Sequence, residues 1–512
     1  MYFDRDNGLE PIHPIDGDGL QMSKEPVFSF VIPVYQKPAE IFERCLASLF
    51  DQTLKEIEVI AIFDGPDKEL QEVASKFPKV QSHVIEHGGA PKARNYGTSL
   101  AKGKYVVCWD ADCQGKPEMA TRWLQEFEAT GADFVYSGYE FSQERGGYPS
   151  EQFDPYSLTC GNYISTMFPI LREKAPKWDE SLKCGQDWDF WLTAVENGCK
   201  GVWIEGSGWI TEPSFGSISD IGWSPERRAE TIRIVKEKHG IPEREIAVGS
   251  FRHFFKALHI AKLTQGDILK NRGEDLSKYK MIFNLGMGDY VRFRGASKDC
   301  VKIHYWMPWD IDCMYAIAFK TARETIAHIN TEVTHNFCNE ITSKKRLEDL
   351  GIKAEVLPLP TEIDGLEETL PDKFKVLVDC DKAYRPILVD LPKALPHIPI
   401  DFVDTMGNVA SIPEYSLLLS FYENPGVDES MRRFLLHGRN LISNVQAPFC
   451  GYVDMGLKHV DFKNEMINRI MDARDLGFNK KAQDYYKNLV DPKKFVEKLN
   501  SLLPQPAMEV VS

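Results

Sequence analysis

Strand-like and helix-like segments alternate from residue 27 onward, and this alternation limits the possible folds more than any other feature. The strand-like segments are short apolar runs at 27–35, 57–63, 80–85 and 104–109. The helix-like segments that separate them are 38–50, 68–77 and 90–101. This order predicts an α/β fold with a mainly parallel sheet and helices on its faces.

Acidic residues follow two of the predicted strands. Asp64 ends the second strand, and Asp110 and Asp112 follow the fourth. Side chains alternate along an extended chain, so Asp110 and Asp112 point to the same side. Ligands of parallel sheets bind outside the carboxyl ends of the strands, and paired carboxylates suit Mg²⁺ or Mn²⁺. The alternative interpretation is that both acidic segments are only turns.

Five motifs occur in one order along the first half of the chain. They are Val31-Ile-Pro-Val-Tyr35, Asp64-Gly-Pro-Asp67, Gly88-Gly-Ala-Pro-Lys-Ala-Arg94-Asn95, Trp109-Asp-Ala-Asp112 and the segment 177–191. Together they resemble the nucleotide-sugar half of the inverting glycosyltransferase family 2. The resemblance covers residues 27–240. It implies a GT-A fold, which is a Rossmann-like nucleotide-sugar domain.

The resemblance also implies the residues that bind a nucleotide-sugar donor. Pro33 and Tyr35 would border the nucleobase and ribose. Asp64 would accept a hydrogen bond from N3–H of the base, a contact that favours uracil, and Arg94 would touch the base or the phosphates. Asp110 would lie near the ribose. A UDP-sugar is therefore the expected donor.

Two further carboxylates complete the implied mechanism. Asp112 would ligate Mn²⁺ or Mg²⁺ on the donor diphosphate, where a cation neutralises charge on the departing group. Asp187 would be the general base that takes the proton of an acceptor hydroxyl as it attacks. A single displacement would then invert the anomeric carbon, as in inverting glycosidases, where a carboxylate acts on the face opposite the leaving group.

The motifs also depart from the family pattern. Phe63 and Gln186 stand where the family commonly has acidic residues, and residues 212–219 lack the basic residue that often helps to hold the diphosphate. These departures motivate a rival hypothesis, a glycan- or nucleotide-sugar-binding or scaffold protein with a retired site. Asp187 and Asp189 could also act as helix caps.

Other interpretations of the motif residues are structural. Arg94 could be a surface helix residue, and Trp188, Phe190 and Trp191 are expected to pack in the core rather than to stack on a ligand.

The rest of the chain is divided as follows. Residues 1–26 are predicted to be an irregular tail, 241–278 a helical connector and 279–512 a second α/β domain of possibly two lobes, in which residues 324–330 are predicted to form a strand. Within it, 417–426 and 437–443 resemble the C-terminal lobe of GT-B glycosyltransferases, although the helix-borne glutamate of that lobe is missing. This domain could hold the acceptor, form a homo-oligomer or keep a separate activity.

Composition excludes several classes of protein. The net charge of −15 argues against a general nucleic-acid binder. The eleven cysteines are scattered and lack metal-ligand spacing, which fits reduced thiols in a cytoplasm better than a disulfide framework. No secretion signal or membrane-spanning segment is expected. The acceptor is left open: a glycan, a lipid-linked sugar, a protein and a modified base all fit.

Overall fold

The computed structural model describes residues 25–142, 147–148, 150–211, 225–250, 253–269, 275–286, 293, 295–316, 319–361, 366, 369–380, 384–403, 414–421, 429–444, 448–453 and 459–503. The chain divides into two compact units, residues 1–242 and 243–512.

A mixed sheet forms the centre of the first unit. Its described strands are β1 (Phe28–Val34), β2 (Ile57–Asp64), β3 (Val80–Ile85), β4 (Tyr105–Cys108), β5 (Cys113–Gly115), β6 (Phe134–Phe141), β7 (Gly147–Tyr148), β8 (Ile170–Leu171) and β9 (Gly201–Thr211). The strand order is β3-β2-β1-β4-β8-β6-β9-β5, and β7 pairs with β6. Strands β1 to β4 are parallel, whereas β8 runs antiparallel to β4 and β6.

The described helices of this unit are α1 (Ala39–Phe50), α2 (Lys68–Ser75), α3 (Ala90–Leu100), α4 (Met119–Thr130), α5 (Pro155–Cys160), α6 (Gln186–Glu196) and α7 (Pro225–Lys238). A 3₁₀ turn covers Arg172–Lys174. The bounds of the first seven elements along the chain, β1 to β4 and α1 to α3, lie within three residues of the predicted bounds. The predicted mainly parallel α/β sheet is confirmed over β1 to β4.

Burial along the strands explains their positions in the sheet. Every residue of β4 and six of seven in β1 are buried, as expected for central parallel strands covered on both faces. Strand β3 lies at the edge of the sheet, and its residues are partly or fully exposed. Strands β2, β1 and β4 are parallel neighbours, so their carboxyl ends lie side by side at one end of the sheet.

Helix α3 packs unusually close to strands β1 and β2 of the sheet. A Cβ atom added to Gly97 would lie 2.3 Å from Cγ1 of Val31 in β1 and 3.0 Å from Cγ1 of Ile62 in β2. Only a residue without a side chain allows this approach. The close packing places Arg94, which lies one turn earlier in α3, beside the residues that follow β4.

The second unit contains two parallel sheets. The first has the order β11-β10-β12-β13-β14-β15, with β10 (Ile246–Ser250), β11 (Asp267–Leu269), β12 (Met281–Leu285), β13 (Val301–Trp306), β14 (His335–Cys338) and β15 (Glu355–Val356). The second has the order β17-β16-β18-β19-β20, with β16 (Val376–Cys380), β17 (Ile400–Val403), β18 (Leu417–Phe421), β19 (Asn440–Ser443) and β20 (Cys450–Tyr452).

Ten described helices accompany these sheets. They are α8 (Phe254–Thr264), α9 (Pro308–Ala316), α10 (Phe319–Glu332), α11 (Ile341–Asp349), α12 (Arg385–Leu388), α13 (Leu391–Ala394), α14 (Glu429–Leu436), α15 (His459–Asp475), α16 (Lys480–Leu489) and α17 (Pro492–Asn500). No helix in the described ranges is both long and apolar enough to cross a membrane. The GT-B resemblance of this unit stays a prediction.

Two predicted elements are wrong in this part of the chain. Residues 241–278 are not a helical connector, because β10 and β11 lie within them and belong to the first sheet of the second unit. Residues 324–330, predicted as a strand, lie inside α10. Short apolar runs fit both a buried strand and a buried helix, so their pairing partners decide between the two.

Candidate active site

Asp64 is buried at the end of β2 and holds the loop that leads into α3. Its two carboxylate oxygens accept hydrogen bonds from the backbone amides of Gly88 (2.7 Å) and Gly89 (2.9 Å). Nδ1 of His87 lies 3.0 Å from Oδ2 of Asp64. The carboxylate therefore fixes residues 87–89, a role that the sequence did not reveal. A carboxylate has about four lone-pair positions, so it can still accept a further hydrogen bond.

Two aromatic rings lie beside Asp64. Tyr35 follows β1 and is 46% exposed, and its ring stacks on that of His87 with 4.6 Å between the ring centroids. Pro33 lies in β1 opposite Ile62 of β2. Sequence reasoning identified Pro33 and Tyr35 but missed His87, because a histidine in a loop carries no signal of its own.

Arg94 is buried and connects two of the predicted site segments. Its Nη2 donates to Oδ1 of Asp110 at 3.0 Å, and its Nη1 donates to Oε1 of Gln186 at 3.3 Å. The guanidinium also lies over the ring of Trp178, 4.6 Å from the centroid. The interpretation of Arg94 as a surface residue is wrong. In this structure the guanidinium holds the segment after β4 next to the start of α6.

Asp110 and Asp112 each carry a cationic partner from the protein. Arg94 pairs with Asp110, whose side chain is 35% exposed. The ammonium of Lys37, in the loop between β1 and α1, pairs with Oδ2 of Asp112. Burial lowers the pKa of Lys37, but its hydrogen bond to Asp112 and the charges of Asp112 and Asp110 outweigh burial and raise it. Lys37 is therefore an ammonium, and sequence reasoning missed it.

Asp187 lies in the first turn of α6 and is partly exposed. Its Oδ2 accepts a hydrogen bond from Nδ2 of Asn162 (2.7 Å), and its Oδ1 accepts from the amide of Trp188 (3.0 Å). Burial of the carboxyl raises the pKa of Asp187, which the amide of Trp188 and the charge of Arg94 oppose only in part. Asn162, to which the sequence gave no role, is therefore a direct partner of the predicted base.

The acidic residues of α6 are not helix caps. The N-cap position is Gly185, with a φ of +67° that favours glycine. Asp189 is instead buried against Nε2 of His239 at 2.9 Å and Nζ of Lys238 at 2.7 Å. The two acidic residues thus have different surroundings although they share one helical turn.

The predicted departures from the family pattern have simple structural settings. Phe63 is fully buried and packs edge-to-face on Phe42 with 6.3 Å between the ring centroids. Gln186 donates to the carbonyl of Leu182 and accepts from Arg94. The segment 212–219 lies outside the described residues. Trp188, Phe190 and Trp191 are buried, which confirms them as core residues.

The described residues supply only part of the ligands that a divalent cation needs. Among them, no group of three or more His, Cys, Asp or Glu side chains is arranged to hold a metal ion. Asp112 supplies one carboxylate, and Mg²⁺ sites of one or two carboxylates are completed by substrate phosphates and water. The donor set therefore fits a cation that arrives with a phosphorylated ligand, provided that Lys37 leaves Asp112.

The fold and these carboxylates define a class of protein. A mixed sheet whose parallel strands end at Asp64 and just before Asp110 and Asp112 is the GT-A fold, as predicted. Residues 29–186 match the model of the family described as Glycosyl transferase family 2. This match confirms the resemblance over residues 29–186. The match ends one residue before Asp187.

Two similar proteins are also named glycosyltransferases. An uncharacterized glycosyltransferase of Methanocaldococcus jannaschii is 25% identical over 196 residues, which are 34% of this chain and 67% of that protein. The uncharacterized glycosyltransferase EpsJ of Bacillus subtilis is 33% identical over 224 residues, 39% of this chain and 65% of EpsJ. The match thus spans about two thirds of each relative's length. Both names agree with the predicted enzyme class.

A solved structure that matches part of this chain is that of S. aureus TarS, residues 1–349, in complex with UDP-GlcNAc. It is 19% identical, with a TM-score of 0.37, and the match covers 41% of this chain and 66% of that one.

Proposed function

We propose that the chain is a metal-dependent inverting glycosyltransferase that moves a sugar from a UDP-sugar to an acceptor hydroxyl. The family 2 domain supports the general activity. The observation that carries the proposal is the position of Arg94, which contacts Asp110 after β4 and Gln186 at the start of α6. This contact supports the proposal that the predicted donor carboxylates and the predicted base belong to one site.

The donor side of this site is formed at the ends of β1 and β2. In the proposal, Pro33 and the exposed ring of Tyr35 border the nucleobase, and Asp64 accepts from its N3–H. The Gly88 and Gly89 amides hold Asp64 as an oriented acceptor. Uracil carries a hydrogen at N3, whereas N3 of cytosine is an acceptor that a carboxylate would repel. This difference in hydrogen bonding supports uridine as the nucleoside.

The diphosphate side of the site is formed by Asp110 and Asp112. In the proposal, Asp110 contacts the ribose while Arg94 fixes its carboxylate, and Asp112 would hold Mn²⁺ or Mg²⁺. When bound, such a cation neutralises the charge that develops on the leaving diphosphate.

Asp187 is proposed to accept the proton of the attacking hydroxyl. A useful base needs a pKa closer to the working pH than that of an ordinary aspartate, and burial shifts the pKa of Asp187 in this direction. The hydrogen bond from Asn162 holds one carboxylate oxygen in place. One displacement at the anomeric carbon, with Asp187 opposite the leaving group, would invert its configuration.

A second candidate function is a non-catalytic nucleotide-sugar-binding or scaffold protein. The observation that favours it is the ion pair between Lys37 and Asp112, which neutralises the predicted metal ligand. This protein would still bind a nucleotide through Tyr35 and Asp64.

Transfer or hydrolysis of labelled UDP-sugars with Mn²⁺ separates the two functions. We expect the wild type to release the sugar, and Asp187→Asn to lose at least a hundredfold in rate while still binding UDP. Asp179→Asn is the matched control, because this partly exposed aspartate contacts Ser181 and Lys238, neither of which belongs to the predicted site, and the variant should leave the rate unchanged. Binding of UDP without any sugar release would favour the scaffold, and absence of both would reject the proposal.

A further inference from the structure

Lys37 and Asp112 form an ion pair between segments that lie 75 residues apart in the sequence. The Lys37 side chain is 27% exposed and that of Asp112 is 12% exposed. A second lysine pair of the same unit, Lys76 with Glu43, is much more open, with 55% and 43% exposure. Charges that are partly removed from water interact more strongly than those at the surface. The Lys37–Asp112 pair is therefore the stronger of the two.

The Lys37 ammonium contacts the carboxylate that is predicted to bind the metal ion. Oδ2 of Asp112 accepts from Lys37, and among the described residues Oδ1 receives a weak contact of 3.8 Å from Sγ of Cys113. Asp110 is already paired with Arg94. An ammonium and a divalent cation on one carboxylate repel each other at such short range. Lys37 therefore opposes the direct binding of a cation to Asp112 for as long as the ion pair persists.

Lysine is suited to such a movement. Its charge is a compact point on a flexible four-carbon stem, unlike the planar fork of Arg94. The diphosphate of a nucleotide-sugar brings several negative charges, which offer the ammonium another partner. A cation that arrives with the diphosphate would then find Asp112 free.

We propose that Lys37 is an internal counter-ion that competes with divalent cations for Asp112. This inference rests on the proposed role of Asp112 as the ligand of the donor site. Lys37 keeps Asp112 neutralised in the free protein and weakens the binding of a cation that arrives without a nucleotide. It acts through Asp112 and is a positioning residue.

The test measures the binding of Mn²⁺ alone by the loss of the free-ion signal in electron paramagnetic resonance. We expect Lys37→Met, which keeps an unbranched side chain of about the length of the lysine stem and removes the charge, to bind Mn²⁺ at least tenfold more tightly than the wild type. Lys37→Arg keeps the charge and should stay within twofold of the wild type. Lys76→Met is the matched control for the loss of a paired lysine and should also be unchanged.

Asp112→Asn in the Lys37→Met background locates the effect. The gain in Mn²⁺ affinity should disappear in this double variant. An unchanged or weaker affinity of Lys37→Met, or a gain that survives Asp112→Asn, would overturn the inference. The probe is Mn²⁺ without a donor, so the result is independent of sugar transfer. A chain that gains affinity but transfers no sugar would reject only the proposed enzyme.

Discussion

His239 follows the last residue of α7 and contacts two carboxylates of α6. Nε2 of His239 lies 2.9 Å from Oδ1 of Asp189, and its Nδ1 lies 2.8 Å from Oε1 of Glu196. The side chains of His239 and Asp189 are each only 2% exposed. Burial lowers the pKa of His239, but the hydrogen bonds and charges of the two carboxylates outweigh burial and raise it. The imidazole therefore binds its second proton more tightly in the folded unit.

His239→Gln removes this charge while keeping a similar size. Breaking a buried ion pair costs about 3–5 kcal/mol, but Lys238 remains beside Asp189 and Glu196 is half-exposed. We therefore expect a loss of about 2 kcal/mol, below the range for a fully buried pair. For a unit of this size the loss lowers Tm by about 4–8 °C.

The loss must depend on pH in one direction. A raised pKa in the folded state gives stability that is fully present below the unfolded value of about 6.5 and disappears as pH rises through the folded value. The Tm difference between the wild type and His239→Gln should therefore be largest near pH 6 and shrink toward pH 9. Asp189, Glu196, Lys238 and Asp179 are the charged groups that surround this contact.

Thermal melts followed by circular dichroism at several pH values provide the measurement. His83→Gln is the control, because His83 is a partly buried histidine on the edge strand β3, and this variant should leave the Tm of the first unit unchanged. A Tm difference that is constant with pH, or that grows toward pH 9, would refute the assignment of a charged His239.

Three more predictions follow from the site. The acid limb of the transfer rate should lie above the ordinary aspartate value of about 3.9, because Asp187 has a raised pKa and must lose its proton to act; a pH–rate profile that is flat down to about pH 4 would contradict this. Arg94→Lys cannot reproduce the paired contacts to Asp110 and Gln186 and should lower kcat about thirtyfold, for a lost interaction of about 2 kcal/mol, with Tm reported alongside. Gly97→Ala should destabilise the first unit by about 1–3 kcal/mol in urea melts, because its Cβ would overlap Val31; an unchanged midpoint would show that α3 can shift.

Local sequence patterns were sufficient for the parallel half of the first sheet. The apolar runs and helical faces between residues 27 and 109 repeat in a regular order, and the observed bounds of β3, Val80–Ile85, equal the predicted ones. Regular alternation leaves few topologies, so the position of Asp64 at a strand end also followed. The same reasoning failed for β10 and for residues 324–330, where short apolar runs fit both periods.

The partners of the site residues could not be predicted in the same way. Lys37 meets Asp112, Asn162 meets Asp187 and Arg94 meets Gln186 across 75, 25 and 92 residues. No periodicity links positions so far apart, because these contacts depend on which loops the sheet order brings to one edge.

The sequence by itself determined β1 to β4, the acidic residues at the ends of these strands and the family resemblance of residues 29–186, since these properties depend on local spacing. Only the tertiary structure decided what each carboxylate faces. It placed an ammonium on Asp112, a guanidinium on Asp110, two backbone amides on Asp64 and an amide side chain on Asp187. Charge and pKa depend on such neighbours through space, and the chain defines them only once it is folded.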